Sequence, residues 1–399
     1  MALSEITILF IIILTFTLLA IVGHFLNLEK YGFFFFFFGF IWKTEIFNKV
    51  LKIMSDKGKK LWEIIYRIGL VPAIIASVIL FGYFIVNPFL ILTGSKAGVG
   101  LQLIIPGVTV GFETLLLFII PIMLVLIPHE IGHAVMAHKE GVGVKSSGIF
   151  VFLLLFGGFV ELIKEQMDQV KPIKRIKILL NGVSINAVVS ILALILLLLL
   201  PFLTLIAFHP PNGVLIISVY EDMPAEEAGI EKGDVIKFVG ILDENDTVIE
   251  LKEIANTTYF NQLMASISGE PKLLIGFLEQ KNITITPTNV NPTTNKTEER
   301  LFLGISIYDY YPAKNGKMSP FIPYYLTVEL LYTANIGMMA VFINMLPMKI
   351  TDGDRVLQEL LDMKKVSEKK KKNILKVLRI VCVGILFLNI GLSMIMFRF

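Results

Sequence analysis

Six stretches of this sequence are long, apolar and almost free of charged side chains, which restricts the chain to the folds of membrane proteins. A helix needs about 20 consecutive apolar residues to cross a bilayer. The chain is 55% hydrophobic and only 17% charged, whereas a soluble domain carries roughly a quarter charged residues. We therefore predict a multi-pass α-helical membrane protein with about six transmembrane helices. The stretches occupy residues 6–28, 68–92, 114–138, 178–208, 321–348 and 380–397.

Two shorter apolar stretches do not fit a spanning helix. The run at residues 33–38 is too short to cross a bilayer alone. The run at residues 101–112 is interrupted by Pro106 and two glycines. We expect both to be interfacial or re-entrant segments.

Composition also excludes some classes of site and partner. The single cysteine, Cys382, excludes a disulfide framework within the chain and a zinc site built from several cysteines. A net charge of +3 is too balanced to indicate a nucleic-acid partner.

The distribution of Lys and Arg between loops predicts the orientation in the membrane. Eight lie in residues 30–67, seven in 139–177 and ten in 349–379, whereas residues 1–5 carry none and 93–112 carry one. Loops rich in Lys and Arg stay in the cytoplasm. We therefore expect both termini and the long polar segment that ends at residue 320 to lie outside.

The strongest chemical signal is a His-Glu-x-x-His motif near the end of the third apolar stretch. On an α-helix His129 and His133 lie about 40° apart on one face, so both imidazoles can reach one metal ion. Glu130 points to an adjacent face, where its carboxylate can accept a proton from water. Because ionisable side chains within a membrane are costly, we interpret this group as a catalytic metal site in the cytoplasmic half of the bilayer.

Two histidines leave the metal without a third protein ligand. His138 lies about 180° from His129 on the same helix, so it cannot bind the same ion unless the helix breaks. We expect a carboxylate from another element, and Asp352 is the best candidate because Pro347 interrupts the fifth apolar stretch just before it. Asp354 is a rival, and an ordinary helix end with solvated acids is the alternative.

Taken together, these motifs resemble the site-2 protease family of intramembrane zinc metalloproteases. The matching motifs are His129-Glu130-x-x-His133, Gly182-x-x-x-Asn186, and Asn344-x-x-Pro347 followed by Asp352-Gly353. The resemblance covers residues 114–354, apart from an inserted polar segment. Residues 148–161 are also similar to the membrane-associated β-hairpin of the family.

The resemblance implies a role for each matching residue. The implied ligands of one Zn²⁺ ion per chain are His129, His133 and Asp352. Glu130 would be the general base, and Asn186 and Asn344 would hold the substrate backbone or the developing oxyanion. For Asn186, a helix-packing role beside Gly182 is an equal alternative.

The polar segment at residues 209–320 resembles an extracytoplasmic α+β PDZ-like domain. A strand is followed by a short helix near Pro224 and by a Gly-Asp turn at Gly233. PDZ domains bind extended peptides by adding a strand at a sheet edge, and the expected peptide-binding residues are Gly213, Val214, Leu215 and Ile216. A size filter that excludes substrates with a large outer portion is the alternative role.

The resemblance therefore implies a zinc metalloendopeptidase that hydrolyses peptide bonds within or near the transmembrane helices of membrane-anchored substrates. The expected partners are single-pass membrane proteins, the lipid bilayer, and a peptide or C-terminus at the PDZ-like domain. The catalytic membrane core would comprise residues 111–208 and 321–399, and residues 1–110 would form N-terminal membrane helices and a cytoplasmic loop.

Three competing interpretations remain at this stage. A metal transporter would also contain intramembrane histidines and acids, but the chain has no evident internal repeat. An inactive scaffold would not need the complete motif set. Another membrane protease with a glutamate as third ligand would have to use Glu161, Glu165 or Glu329.

Overall fold

A computed structural model describes residues 5–101, 110–152, 155–267, 272–279, 281–291 and 297–397. The chain divides into two compact units. The first contains Met1–Leu196 and Glu329–Phe399, and the second contains Leu197–Val328.

Six helices in the described part of the chain are long and apolar enough to cross a membrane, which confirms the predicted number. They are α1 (Glu5–Phe25), α3 (Lys59–Leu92), α4 (Phe112–Glu140), α6 (Pro172–Ala207), α9 (Ile322–Met345) and α11 (Glu368–Phe397). Three of them, α3, α6 and α11, begin several residues before the apolar stretch that predicted them. Hydropathy marks only the part of a helix that suits hydrocarbon, whereas backbone hydrogen bonding continues through the charged residues that precede it.

The predicted β-hairpin is part of a larger antiparallel sheet. The sheet has the order β1-β2-β3-β4 and consists of β1 (Phe33–Phe36), β2 (Gly39–Thr44), β3 (Val144–Phe152) and β4 (Leu155–Leu162). The phenylalanine-rich run at residues 33–38 therefore forms an edge strand and the turn after it. Most of the second ambiguous stretch, residues 102–109, lies outside the described residues.

Glycine allows β2 and β3 to approach, although they are separated by about a hundred residues. Gly39 pairs with Phe152, and a Cβ atom at Gly39 would lie 1.8 Å from the carbonyl oxygen of Val151. A Cβ atom at Gly148 would lie 2.0 Å from the carbonyl oxygen of Trp42. No local pattern reveals such a pairing, because strand partners far apart in sequence leave no periodic signal. The hairpin prediction was correct but incomplete.

Close helix crossings bring α3 and α4 against α6. A Cβ atom at Gly132 of α4 would lie 3.2 Å from the Cα atom of Gly182 in α6. A Cβ atom at Gly69 of α3 would lie 2.0 Å from the carbonyl oxygen of Ser184. Small residues at membrane helix crossings let backbones approach in this way, and here they place α6 directly beside the His-Glu-x-x-His motif.

The chain breaks after α9, as Pro347 predicts. Helix α9 ends at Met345 and α10 (Asp352–Met363) begins seven residues later. A Cβ atom at Gly353 would lie 2.3 Å from the carbonyl oxygen of Met345. Glycine at position 353 therefore permits the start of α10 to return against the end of α9, which positions Asp352. The described part of this unit also contains α2 (Ile46–Lys57) and α5 (Lys164–Gln169).

The second unit contains a sheet with the order β12-β5-β6-β8-β9, with β7 also paired to β6. Its strands are β5 (Val214–Val219), β6 (Val235–Leu242), β7 (Val248–Glu253), β8 (Leu273–Phe277), β9 (Asn282–Ile285) and β12 (Ile305–Asp309). Helices α7 (Pro224–Glu227) and α8 (Thr257–Ser266) and a small sheet of β10 (Thr288–Val290) and β11 (Thr297–Phe302) accompany it. Its apolar core includes Val214, Ile216 and Ile236.

The expected peptide-binding strand does not lie at a sheet edge. Val214 and Leu215 pair with β6 on one side and with β12 on the other, and Ile216 also pairs with β12. All three side chains are fully buried, and the backbone N–H of Gly213 donates to the carbonyl oxygen of Ala255. Strand addition needs a free edge, so the assignment of Gly213, Val214, Leu215 and Ile216 to peptide binding was wrong. The covering strand β12 lies about ninety residues later in the sequence.

Candidate active site

Three side chains from two distant parts of the sequence meet in the first unit. His129 Nε2 lies 3.1 Å from His133 Nε2 and 3.3 Å from Asp352 Oδ2. His133 Nε2 lies 3.1 Å from the same carboxylate oxygen. The three side chains are between 7% and 12% exposed, so the cluster is largely shielded from its surroundings.

The spacing of these three atoms fits a tetrahedral metal ion. Zinc binds nitrogen and oxygen ligands at about 2.0–2.1 Å, which separates two ligand atoms of a tetrahedron by about 3.3 Å. The observed separations of 3.1–3.3 Å form one face of such a tetrahedron. Two imidazoles and one carboxylate are also a ligand set that zinc accepts. His129, His133 and Asp352 can therefore hold one divalent ion and leave its fourth position open.

Each histidine has a partner for the ring nitrogen that faces away from the cluster. His133 Nδ1 lies 2.9 Å from the backbone carbonyl oxygen of Ile178 in α6. His129 Nδ1 lies 3.0 Å from the side-chain amide of Asn186, also in α6. Partners of this kind fix the ring orientation and the tautomer of histidines that bind metals.

Helix α6 approaches both imidazoles because residue 182 has no side chain. A Cβ atom at Gly182 would lie 2.5 Å from His133 Nε2 and 2.9 Å from His129 Cε1. Asn181 secures the same crossing, since its amide donates to the carbonyl oxygen of Gly132 at 2.7 Å. In the Gly182-x-x-x-Asn186 pattern, the glycine thus leaves room for both imidazoles, and the amide one helical turn later contacts His129.

Glu130 is held by the sheet and lies outside the His-His-Asp cluster. Its Oε2 accepts a hydrogen bond from the backbone N–H of Val160 in β4 at 2.9 Å. The position at which a Cβ of Gly158 would stand lies 3.7 Å from the Glu130 side chain, so strand β4 passes directly over the acid. No pattern of residue types predicts this contact, because the partner is a backbone group.

The two imidazoles beside Asp352 favour the charged form of this buried carboxyl group. Burial disfavours a charged carboxyl, but the imidazoles of His133 and His129 outweigh burial and hold the pKa of Asp352 well below its usual range. An ionised carboxylate is the form that binds a metal ion.

Two of the rival carboxylates, Asp354 and Glu161, have other partners. Asp354 is 1% exposed, and its two carboxylate oxygens accept bonds from Arg379 at 2.7 and 2.6 Å. Glu161 forms ion pairs with Lys43 and Lys145 at the end of the sheet. Within the described residues, His129, His133 and Asp352 are the group whose ligand atoms converge. Asp354, Glu161, Glu165, Glu329 and His138 lie outside that group.

The two asparagines proposed for substrate binding differ in their surroundings. Asn186 is fully buried and is engaged with His129. Asn344 lies half-buried in the last turn of α9.

The comparison with known families agrees with this geometry. The sequence profile described as Peptidase family M50 matches residues 117–386, about two-thirds of the chain. The matched region contains all three side chains of the His-His-Asp cluster, Glu130 and the whole of β3, β4 and α6. The chain is an integral membrane protein that belongs to peptidase family M50, the site-2 protease family of metalloproteases.

Proposed function

We propose that this protein is an intramembrane zinc protease that hydrolyses peptide bonds within or near the transmembrane helices of membrane-anchored substrates, in regulated intramembrane proteolysis. The triangle of His129 Nε2, His133 Nε2 and Asp352 Oδ2, with sides of 3.1–3.3 Å, carries the proposal. Family membership and six apolar helices support it. His129, His133 and Asp352 hold the zinc ion, one per chain.

Zinc in this site supplies a Lewis acid that activates water and polarises the peptide carbonyl. Glu130 acts as the general base and accepts the proton of the attacking water. The N–H of Val160 occupies Oε2 of Glu130 and fixes the orientation of the carboxylate. Glu130 then donates the proton to the leaving amine, which restores the carboxylate for the next turnover.

A substrate helix must unwind before its peptide bonds can react. Intrahelical hydrogen bonds hide the carbonyl groups, and in lipid no water replaces those bonds. Strand β4 is the terminal strand of its sheet and pairs with β3 on one side only, within the described residues. We expect an extended substrate segment to pair along β4, close to Glu130, and substrates with helix-weakening residues to be favoured.

The segment at residues 209–320 acts as a PDZ-like domain outside the cytoplasm, and the zinc site lies in the cytoplasmic half of the bilayer. The distribution of Lys and Arg supports this orientation. Strand β12 is an end strand of the sheet in the second unit, so a bound peptide or C-terminus adds beside β12. Thr257, at the start of α8, donates to the carboxylate of Asp309 in β12 and keeps this helix beside the strand.

Reconstitution with a single-pass model substrate tests the enzymatic proposal. We expect Glu130→Gln to retain zinc and to lose cleavage by a factor of about 10²–10⁴, the usual contribution of a general base. Asp352→Asn should lose both zinc and cleavage. Glu165→Gln is a matched control, because Glu165 is exposed and lies outside the cluster.

Two results would contradict the proposal. Full cleavage by Glu130→Gln would refute the protease mechanism. Normal zinc content in Asp352→Asn would assign the third ligand to another residue.

A further inference from the structure

Asn186 differs from the other buried asparagine of its helix because it contacts a proposed metal ligand. The side chain is fully buried, and its Nδ2 lies 3.0 Å from His129 Nδ1. Its second amide atom, Oδ1, is buried and has no hydrogen-bond partner among the described residues. Among the described residues, a single histidine nitrogen is therefore the only side-chain partner of this amide.

The proton on His129 determines whether this imidazole can bind a metal. A neutral imidazole carries one N–H and one lone pair, and His129 Nε2 is the atom that faces His133 and Asp352. Nε2 can offer its lone pair only when Nδ1 carries the proton. The group that faces Nδ1 therefore selects between the tautomer that binds metal and the one that does not.

The two histidines differ in how this choice is made. His133 Nδ1 faces a backbone carbonyl oxygen, that of Ile178, at 2.9 Å. A carbonyl oxygen only accepts, so it holds the proton of the neutral ring on Nδ1 and leaves the lone pair on Nε2. His129 instead faces an amide, which contains both a donor and an acceptor. The tautomer of His129 therefore depends on a side chain.

The amide of Asn186 can present either of its two polar atoms to His129 Nδ1. With Nδ2 donating to His129 Nδ1, the ring proton resides on Nε2, which lies 3.3 Å from Asp352 Oδ2. A rotation of the amide by 180° brings Oδ1 to Nδ1 and frees Nε2. No other hydrogen bond holds the amide in one orientation within the described residues, so this rotation requires no movement of α6.

We infer that Asn186 is a positioning residue that sets the metal-binding tautomer of His129 by presenting its amide oxygen to Nδ1. The inference rests on the proposed zinc site. It assigns the Gly182-x-x-x-Asn186 pattern to metal binding: Gly182 leaves room for both imidazoles, and Asn186 selects the nitrogen with which His129 binds the metal. It replaces direct contact with the substrate as the role of Asn186.

Zinc affinity of the full-length protein in detergent, measured by competition with a chromophoric chelator, tests this inference. Asn186→Leu preserves the approximate volume but removes the acceptor, and we expect zinc affinity to fall by about 10–100-fold, as for other partners of metal-binding histidines. Asn186→Asp keeps an acceptor in the same place and should retain affinity within about threefold of wild type. Cleavage by Asn186→Leu should recover substantially once zinc is saturating.

A buried asparagine far from the histidines provides the control. Asn389 in α11 is fully buried; its amide donates to the carbonyl oxygen of Phe84 in α3 at 2.9 Å and accepts from the side-chain amide of Asn87 at 2.8 Å. Asn389→Leu should lower the Tm without changing zinc affinity. This variant separates loss of a buried amide in general from loss of the partner of His129.

The possible results distinguish this inference from the proposed function. Equal zinc affinity in wild type and Asn186→Leu, with lower kcat/KM at saturating zinc, would overturn the inference and restore a substrate role. Equal losses of affinity in Asn186→Leu and Asn186→Asp would also overturn it. Wild-type protein that binds no zinc would overturn the proposed function itself.

Discussion

Gly182 should be the position in α6 at which a single methyl group does the most damage to the site. In Gly182→Ala the added Cβ would stand 2.5 Å from His133 Nε2 and 2.8 Å from its Cε1. Comfortable contact between such atoms is about 3.5 Å, so the imidazole or α6 must move by roughly 1 Å. Metal–ligand bonds tolerate changes of about 0.2 Å. The displaced nitrogen is therefore lost as a ligand.

We expect zinc affinity to fall at least about 100-fold in Gly182→Ala, equivalent to about 2.7 kcal/mol. This fall should exceed the one caused by removing the hydrogen-bond partner of a metal-binding side chain, which is about 10–100-fold. The helix itself should not suffer, because alanine is favoured over glycine in a helix by about 1 kcal/mol. Loss of zinc without loss of folding is the expected signature.

Gly82→Ala in α3 is the matched control, because within the described residues no atom beyond the adjacent backbone of its own helix lies within 4 Å of the Cβ it would add. Zinc content by metal analysis, zinc affinity by chelator competition and Tm in detergent should be compared for both variants. We expect Gly82→Ala to match wild type in all three measurements. Zinc affinity of Gly182→Ala within threefold of wild type would refute the packing argument, since the helices would then have adjusted without disturbing the imidazoles.

Three further predictions concern metal, ion pairing and pH. Chelation should abolish cleavage and lower the Tm, because zinc at 1,000 times its Kd stabilises the folded state by about 4 kcal/mol; cleavage that survives chelation would contradict this. Arg379→Met removes the bidentate partner of Asp354 and should reduce the unfolding free energy by about 2 kcal/mol. This is below the loss of about 3–5 kcal/mol expected for a fully buried pair, because the Arg379 side chain is 31% exposed. An unchanged Tm would contradict the prediction. Lys145 and Lys43 lower the pKa of Glu161 from 4.5 to about 2, so the associated stability is present above pH 4.5 and is lost as the pH falls toward 2. Glu161→Gln should flatten the dependence of Tm on pH in that interval, and an unaltered slope would disprove the linkage.

The sequence was most informative where spacing alone carries the geometry. Residues four apart lie on the same face of any α-helix, so spacing alone places His129 and His133 together. A proline such as Pro347 lacks the backbone N–H that a helix interior needs, so it ends or kinks the helix. For these reasons the sequence predicted the six apolar helices, the break before Asp352 and the residues that converge. The choice between Asp352 and Asp354 was not available from spacing, because it depends on Arg379 in another helix.

The sequence failed where a contact depends on a distant backbone. The sequence from Gly213 to Ile216 is typical of a strand that binds peptides at a sheet edge, yet β12 pairs with this strand and occupies the edge. The N–H of Val160 that holds Glu130 and the carbonyl oxygen of Ile178 that faces His133 are backbone atoms, which leave no residue-type signal. A glycine at position 182, one turn before Asn186, was visible as a packing signal, but its closeness to both imidazoles was not.

The four-stranded sheet has a consequence for where the functional protein begins. Thr44 of β2 pairs with Ser147 of β3, which pairs with Val160 of β4, whose N–H holds Glu130. The first of these residues lies outside the region matched by the family, residues 117–386. A fragment trimmed to that region would expose the edge of β3 and lose the strand that supports the surroundings of Glu130, the proposed general base. Strand β2, which precedes the matched region, therefore belongs to the framework that positions Glu130.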